Sequence, residues 1–135
     1  MNFYRLLHVF VALTLSVLAA RAQNQQPMTP EQQEKKLLEA IDKEVQRLSS
    51  LLELEYWQEF YVDSTLNHDL HARAEELMSM QKAKVENIDL YQAVNDKWAE
   101  QIERSYKRFF TEEQWDKYWK LNGKRAKKER DKRKK

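Results

Sequence analysis

From residue 31 to residue 122 the chain contains neither glycine nor proline; Pro27, Pro30 and Gly123 are the only such residues it has. Hairpins need residues that tolerate a positive φ at fixed turn positions, and sheets built from many short strands need such turns repeatedly. A stretch this long without glycine leaves helices joined by short polar turns, so the predicted fold class is all-α.

Apolar spacing divides that stretch into elements. Leu38, Ile41, Val45, Leu48, Leu52 and Tyr56 recur every three or four residues and form one stripe. This predicts a first helix from Thr29 to at least Tyr56, with Pro30 in the first helical position, where the missing N–H costs nothing. Trp57, Phe60, Tyr61 and Val62 extend the stripe into an aromatic knot. The segment DSTLNHD (63–69) gathers capping residues, which predicts a break or bend there. A second helix carries Leu66, Leu70, Ala74, Leu77 and Met78 or Met80. Asn87 is the expected N-cap of a third, striped by Tyr91, Val94, Trp98, Ile102, Tyr106 and Phe109. A fourth starts at Thr111 and carries Trp115, Tyr118 and Trp119. The expected architecture is four helices, or a long antiparallel helical hairpin with two shorter helices, around one narrow aromatic seam. Such a seam leaves apolar surface that a second copy could cover, so a homodimer is expected.

The first 22 residues read differently. A charged start (MNFYR), a short apolar run and the ending Ala20-Arg21-Ala22 have the layout of a secretory signal peptide, and the run is short for a membrane span. With no cysteine in the chain, neither a lipid anchor on cysteine nor a disulfide framework is available. The expected mature chain is 23–135, exported, with a helical domain over 23–122 and a basic tail over 123–135. With Arg5 and Arg21 set aside, 22 basic residues balance 22 acidic ones. They are unevenly placed: from Lys120 to Lys135 ten basic residues face two acidic ones, leaving a net −8 on 23–119. A sixteen-residue segment this basic predicts a frayed, solvated tail, serving solubility or attraction to the acidic body. If it has an external partner, an anionic envelope surface fits an exported protein. Nucleic acid does not, since no aromatic follows Trp119 to stack on bases.

Two short stretches share a pattern. In FTEEQW, Thr111 as N-cap accepts from the N–H of Gln114, and the Gln114 side chain reaches back to the Thr111 N–H, which is a capping box. Phe110 and Trp115 stand at the positions of a hydrophobic staple, and Glu112 and Glu113 suit the first-turn dipole. MTPEQQ repeats the box with Thr29 and Gln32 but lacks the staple, because Gln33 stands in its place. Capping alone explains these residues chemically.

Their placement adds a resemblance. Both stretches resemble the LTxxQ motif of the Spy/CpxP family of periplasmic proteins, one copy opening the first long helix and one the last. SYKRFFTEEQWDKYWK is similar to the family's pattern around the second copy, and the likeness covers residues 28–122. Met28 and Phe110 stand where the motif has Leu, and aromatics are more numerous. The resemblance implies a cradle-shaped dimer of long antiparallel helices acting in the periplasm. Its members are ATP-independent chaperones in envelope stress or accessory regulators of stress sensing, and some relatives bind zinc. Thr29, Gln32, Thr111 and Gln114 are then markers of fold, and unfolded or misfolded envelope proteins are the expected partners.

Loose capture of unfolded chains needs apolar groups beside charges. Trp57, Phe60, Tyr61, Met78 and Met80 are the candidate client-binding residues, methionine being adaptable at promiscuous surfaces. The plain alternative is that the aromatics pack the bundle. His68, His71 and Glu75 share a helical face, with Asp69 nearby, and are the candidate zinc ligands; the plain reading is two surface histidines near a helix start. No resident metal or cofactor is expected. Ser64, His68 and Asp69 in one polar turn offer no oxyanion hole, and one glycine cannot build a phosphate loop, so the chain is not expected to be an enzyme. The alternative to a chaperone is a non-catalytic regulator docking one envelope membrane protein, zinc-responsive if the histidines bind.

Overall fold

The computed structural model describes residues 27–134. The chain forms two compact units, 1–34 and 35–135. The predicted signal peptide, 1–22, lies outside the described residues, and among those described no helix is long and apolar enough to cross a membrane. Every regular element described is helical: α1 Pro30–Leu52, α2 Tyr56–Lys82, α3 Ile88–Phe109, α4 Glu112–Tyr118, a π turn Trp119–Gly123, and α5 Lys124–Arg133. The last three run on as one rod, so the described residues form four helices and the fold is all-α.

The first helix begins with the predicted box. The Thr29 N–H donates to Gln32 Oε1 (3.0 Å) and the Gln32 N–H to Thr29 Oγ1 (3.2 Å). Along α1 the stripe is buried at Ile41, Leu48 and Leu52, while Leu38 is exposed. The helix ends at Leu52 and does not reach Tyr56 as its stripe predicts. Glu53 takes a left-handed conformation (φ 51°), and the Leu54 N–H closes back on Ser49 O (3.2 Å). This turn directs α2 so that Val62 and Leu66 join Ile41, Leu48 and Leu52 in one core with Tyr106, Phe110 and Tyr118.

The expected break at 63–69 is absent: α2 runs unbroken through it. Its capping residues are occupied within the helix, the Asn67 amide donating to Asp63 O and Oδ1 (both 3.1 Å). A tight connection with Lys84 left-handed (φ 54°) then leads to Asn87, whose side chain caps α3 by accepting from the Asp89 N–H (2.9 Å). Helices α2 and α3 run antiparallel, pinned at this end by Glu76, which accepts from Lys97 Nζ and Trp98 Nε1 (2.8 Å). Those hydrogen bonds, Lys97's first, hold the Glu76 carboxyl below its usual range.

The rod that ends the chain is shaped by its one glycine. A Cβ on Gly123 would stand 2.2 Å from Trp119 Cε3, so the indole lies directly on the glycine backbone. Interior glycine costs a helix about 1 kcal/mol relative to alanine; here the missing side chain leaves the room that the Trp119 ring occupies. Trp119 in turn stacks on Trp115 (5.7 Å, 27°).

Candidate functional site

Helix α2 opens with its aromatic side chains facing outward. Gln58 and Val62 point into the core, so Tyr56, Trp57, Phe60 and Tyr61 stand on the opposite side, at 86, 47, 61 and 51 % exposure. They are organised. Tyr61 meets Trp57 (6.1 Å) and Phe60 (5.9 Å) edge-on and stacks on Phe109 (5.8 Å, 28°). From Phe109 the ring contacts continue through Tyr106, Phe110 and Tyr118 to Trp115 and Trp119. The outer patch is therefore the exposed end of the core's own aromatic array, with fixed ring positions. Glu55 anchors it further by accepting from Trp57 Nε1 (2.5 Å). Ser49 donates to Glu59 beside it, and Asp63 follows one turn on, so carboxylates interleave with the rings.

Of the five side chains expected to bind clients, the structure brings together Trp57, Phe60 and Tyr61. Met78 is exposed and Met80 half-buried, but both lie on the far half of α2. At 1.5 Å per residue that is about 25 Å from Tyr61. Tyr56, the most exposed aromatic among the described residues, stands last in the stripe that predicts α1. Its three-to-four-residue spacing continues the pattern, and only the turn at Glu53 removes it.

The TxxQ residues occupy two different environments. Around Thr29 and Gln32 the described bonds are local. At the second copy, the Thr111 N–H donates to Gln114 Oε1 (3.0 Å) and the Gln114 N–H to Thr111 Oγ1 (3.2 Å), and the Gln114 amide also reaches Leu52 O at the end of α1 (3.2 Å). It exchanges hydrogen bonds with Gln58: Gln58 Nε2 donates to Gln114 Oε1 (2.6 Å) and Gln114 Nε2 to Gln58 Oε1 (3.1 Å). Gln58 is 1 % exposed; its carbonyl also accepts from the Glu55 N–H (3.0 Å), and its amide donates to Phe109 O (2.9 Å). Two glutamines thus join the ends of α1 and α3 to the starts of α2 and α4. Sequence reading missed Gln58, although its spacing from Val62, Leu66 and Asp69 places a polar residue on the inward face.

The basic segment is not the frayed tail its composition predicts. Lys124–Arg133 is helical and lies antiparallel to α3 through ion pairs: Arg133 to Asp96 (2.6 Å), Lys134 to Glu100 (2.8 Å), and Arg130 to Glu103 (2.6 Å). Arg130 is 5 % exposed. Burial pushes the Asp96 carboxyl up, but hydrogen bonds from Arg133 and Gln92 and the nearby guanidinium charges together hold it below its usual value. Glu100 is held low chiefly by its hydrogen bond from Lys134. Intramolecular attraction to the acidic body, not fraying, is the physical outcome.

The histidines of the polar turn on α2 make local contacts. His68 Nδ1 pairs with Asp69 Oδ1 (2.8 Å) on the adjacent residue, and His71 Nδ1 meets Asn67 O (2.6 Å). Among the described residues no three His, Cys, Asp or Glu side chains converge on one point, so His68, His71 and Glu75 are not brought together. Ser64 is exposed on the turn before His68. No family model, curated protein or solved structure matches this chain.

Proposed function

We propose that this chain is a non-catalytic, ATP-independent binding protein of the bacterial periplasm that captures unfolded proteins through the aromatic face of α2. The exposure of Tyr56, Trp57, Phe60 and Tyr61 within six residues carries the reading. Exposed large aromatics in one contiguous patch are uncommon on a soluble monomer and mark binding surfaces. Rings held in place by their neighbours offer contact area at small entropic cost, and the carboxylates among them keep the patch soluble and any contact short-lived. The compartment and the stress role rest on the export-signal layout and on the resemblance to the Spy/CpxP family.

The test is aggregation of a chemically unfolded client followed by light scattering, without ATP, with residues 23–135 added at near-stoichiometric amounts. Suppression by the wild type and its loss in Trp57→Ser/Phe60→Ser support the reading. No suppression at any salt concentration ends it. A single stoichiometric partner in a pull-down, with no general suppression, favours the regulatory alternative. The mass in solution decides whether a second copy covers the patch instead.

A further inference from the structure

The cations of the last helix fall into two groups. Arg130, Arg133 and Lys134 face α3 and are matched by Glu103, Asp96 and Glu100. Lys120, Lys124, Lys128 and Lys132 follow at intervals of four, which aligns them on one side of the rod. All four are exposed, and Arg125 and Lys127 beside them are exposed too. Of these six only Lys132 has an ion pair, with Glu129 of its own helix (3.2 Å). Like charges four apart repel along a helix, so this row is held together at a local cost that only Glu129 and Asp131 of the same helix offset in part.

Two apolar side chains border the row. Leu121 is 57 % exposed. Trp119 forms one wall of a groove of about 570 Å³ shared with Lys124, Lys127, Lys128, Asp131 and Lys132. We infer that the Lys120–Lys124–Lys128–Lys132 face docks on an anionic phospholipid surface, its ammonium groups on lipid phosphates and Leu121 and the Trp119 edge at the headgroup level. Four to eight cations on one helical face suffice for anionic-lipid recognition, and tryptophan and leucine gain by entering the interface. A phosphodiester backbone would attract the same lysines but gives Leu121 nothing to enter. The Trp119 ring, already packed on Gly123 and Trp115, is poorly placed to stack on a base. The charge and the apolar border together select the membrane surface.

The experiment is sedimentation of the full chain with vesicles of pure phosphatidylcholine and with vesicles in which about a third of the lipid is phosphatidylglycerol. Any binding through residues 1–26 occurs in every variant, so the readout is the preference for anionic vesicles and its change on mutation. Expected are a preference of at least about tenfold, its decline as salt shortens the screening length, and its loss in Lys120→Gln/Lys124→Gln/Lys128→Gln/Lys132→Gln. Helix content by circular dichroism checks that the variant folds; the milder Lys124→Gln/Lys128→Gln, which touches no ion pair, should lose part of the preference. No preference in the wild type, a preference unchanged in a folded variant, or tighter binding to a DNA duplex at matched phosphate concentration overturns the inference.

Discussion

Gln58 and Gln114, 56 positions apart, face each other amide to amide, each donating to the other's carbonyl at 2.6 and 3.1 Å. Each also completes bonds at a helix end, so that neither has a spare polar atom facing the core.

This pairing predicts a strongly coupled stability effect. Gln58→Ala would leave Phe109 O, the Glu55 N–H and one side of Gln114 short of partners, at a cost of about 2–4 kcal/mol in urea unfolding. A double-mutant cycle with Gln114→Ala should show coupling of about 1–2 kcal/mol; additive effects would mean the pair is not formed in solution.

The two TxxQ copies should respond unequally to the same change. Gln32→Ala removes one local capping bond and should cost about 0.5–1 kcal/mol. Gln114→Ala removes the cap together with contacts to Leu52 and Gln58 and should cost about 2–4 kcal/mol. Thermal melts of the two variants side by side measure the difference.

At Gly123, alanine should destabilise although alanine favours helix. The new methyl would meet the Trp119 ring at 2.2 Å, and overpacking of this kind costs about 1–3 kcal/mol. Adding Trp119→Ala should recover part of the loss to Gly123→Ala, seen as a melting temperature above the sum of the single effects.

Acid should loosen α5 from α3. Asp96 and Glu100 titrate below their usual values when folded. Their contribution is therefore fully present above the unfolded carboxylate pKa of about 4 and lost as pH falls through the depressed folded values. Amide exchange across 124–133, extrapolated for intrinsic rates, should lose protection in that window before α2 and α3 do. Asp96→Asn should show the weaker protection already at neutral pH.

Alkali acts on the core. Burial pushes the Tyr118 hydroxyl up to about 12, and Tyr106, still more buried, is raised further. The neutral forms stabilise the fold below the ordinary tyrosine value of about 10, and that stabilisation is lost as pH rises through the folded values. Ultraviolet titration should show Tyr106 and Tyr118 ionising together with unfolding.

Much of the fold was legible because helices write their buried side at fixed spacing. The α3 stripe from Tyr91 to Phe109 is buried or half-buried throughout, and both TxxQ boxes form as their spacing predicts. Two of the differences share a cause. The α1 stripe runs past Leu52 because periodicity carries no mark of a left-handed Glu53, and DSTLNHD reads as a break because capping residues also serve, as Asn67 and Asp63 do, on the solvent side of an unbroken helix. The aromatic knot was visible as a candidate surface, but which rings face out depends on where α2 begins. Gln58 and the ion pairs of α5 are tertiary facts: a glutamine's partner, or a lysine's, lies dozens of residues away, and local pattern does not name it.

The π turn at Trp119–Gly123 has one more effect. A π turn takes up one extra residue within a single turn, so side chains downstream stand about 100° from where an unbroken α-helix would put them. KRAKKERDKRKK places cations at nearly every angle around its axis, so composition alone leaves open which of them meet α3 and which meet water. The insertion sets that angle. In an unbroken α-helix the same sequence would turn other side chains toward α3, so the division of the helix into a bound side and a charged side is a property of backbone phase.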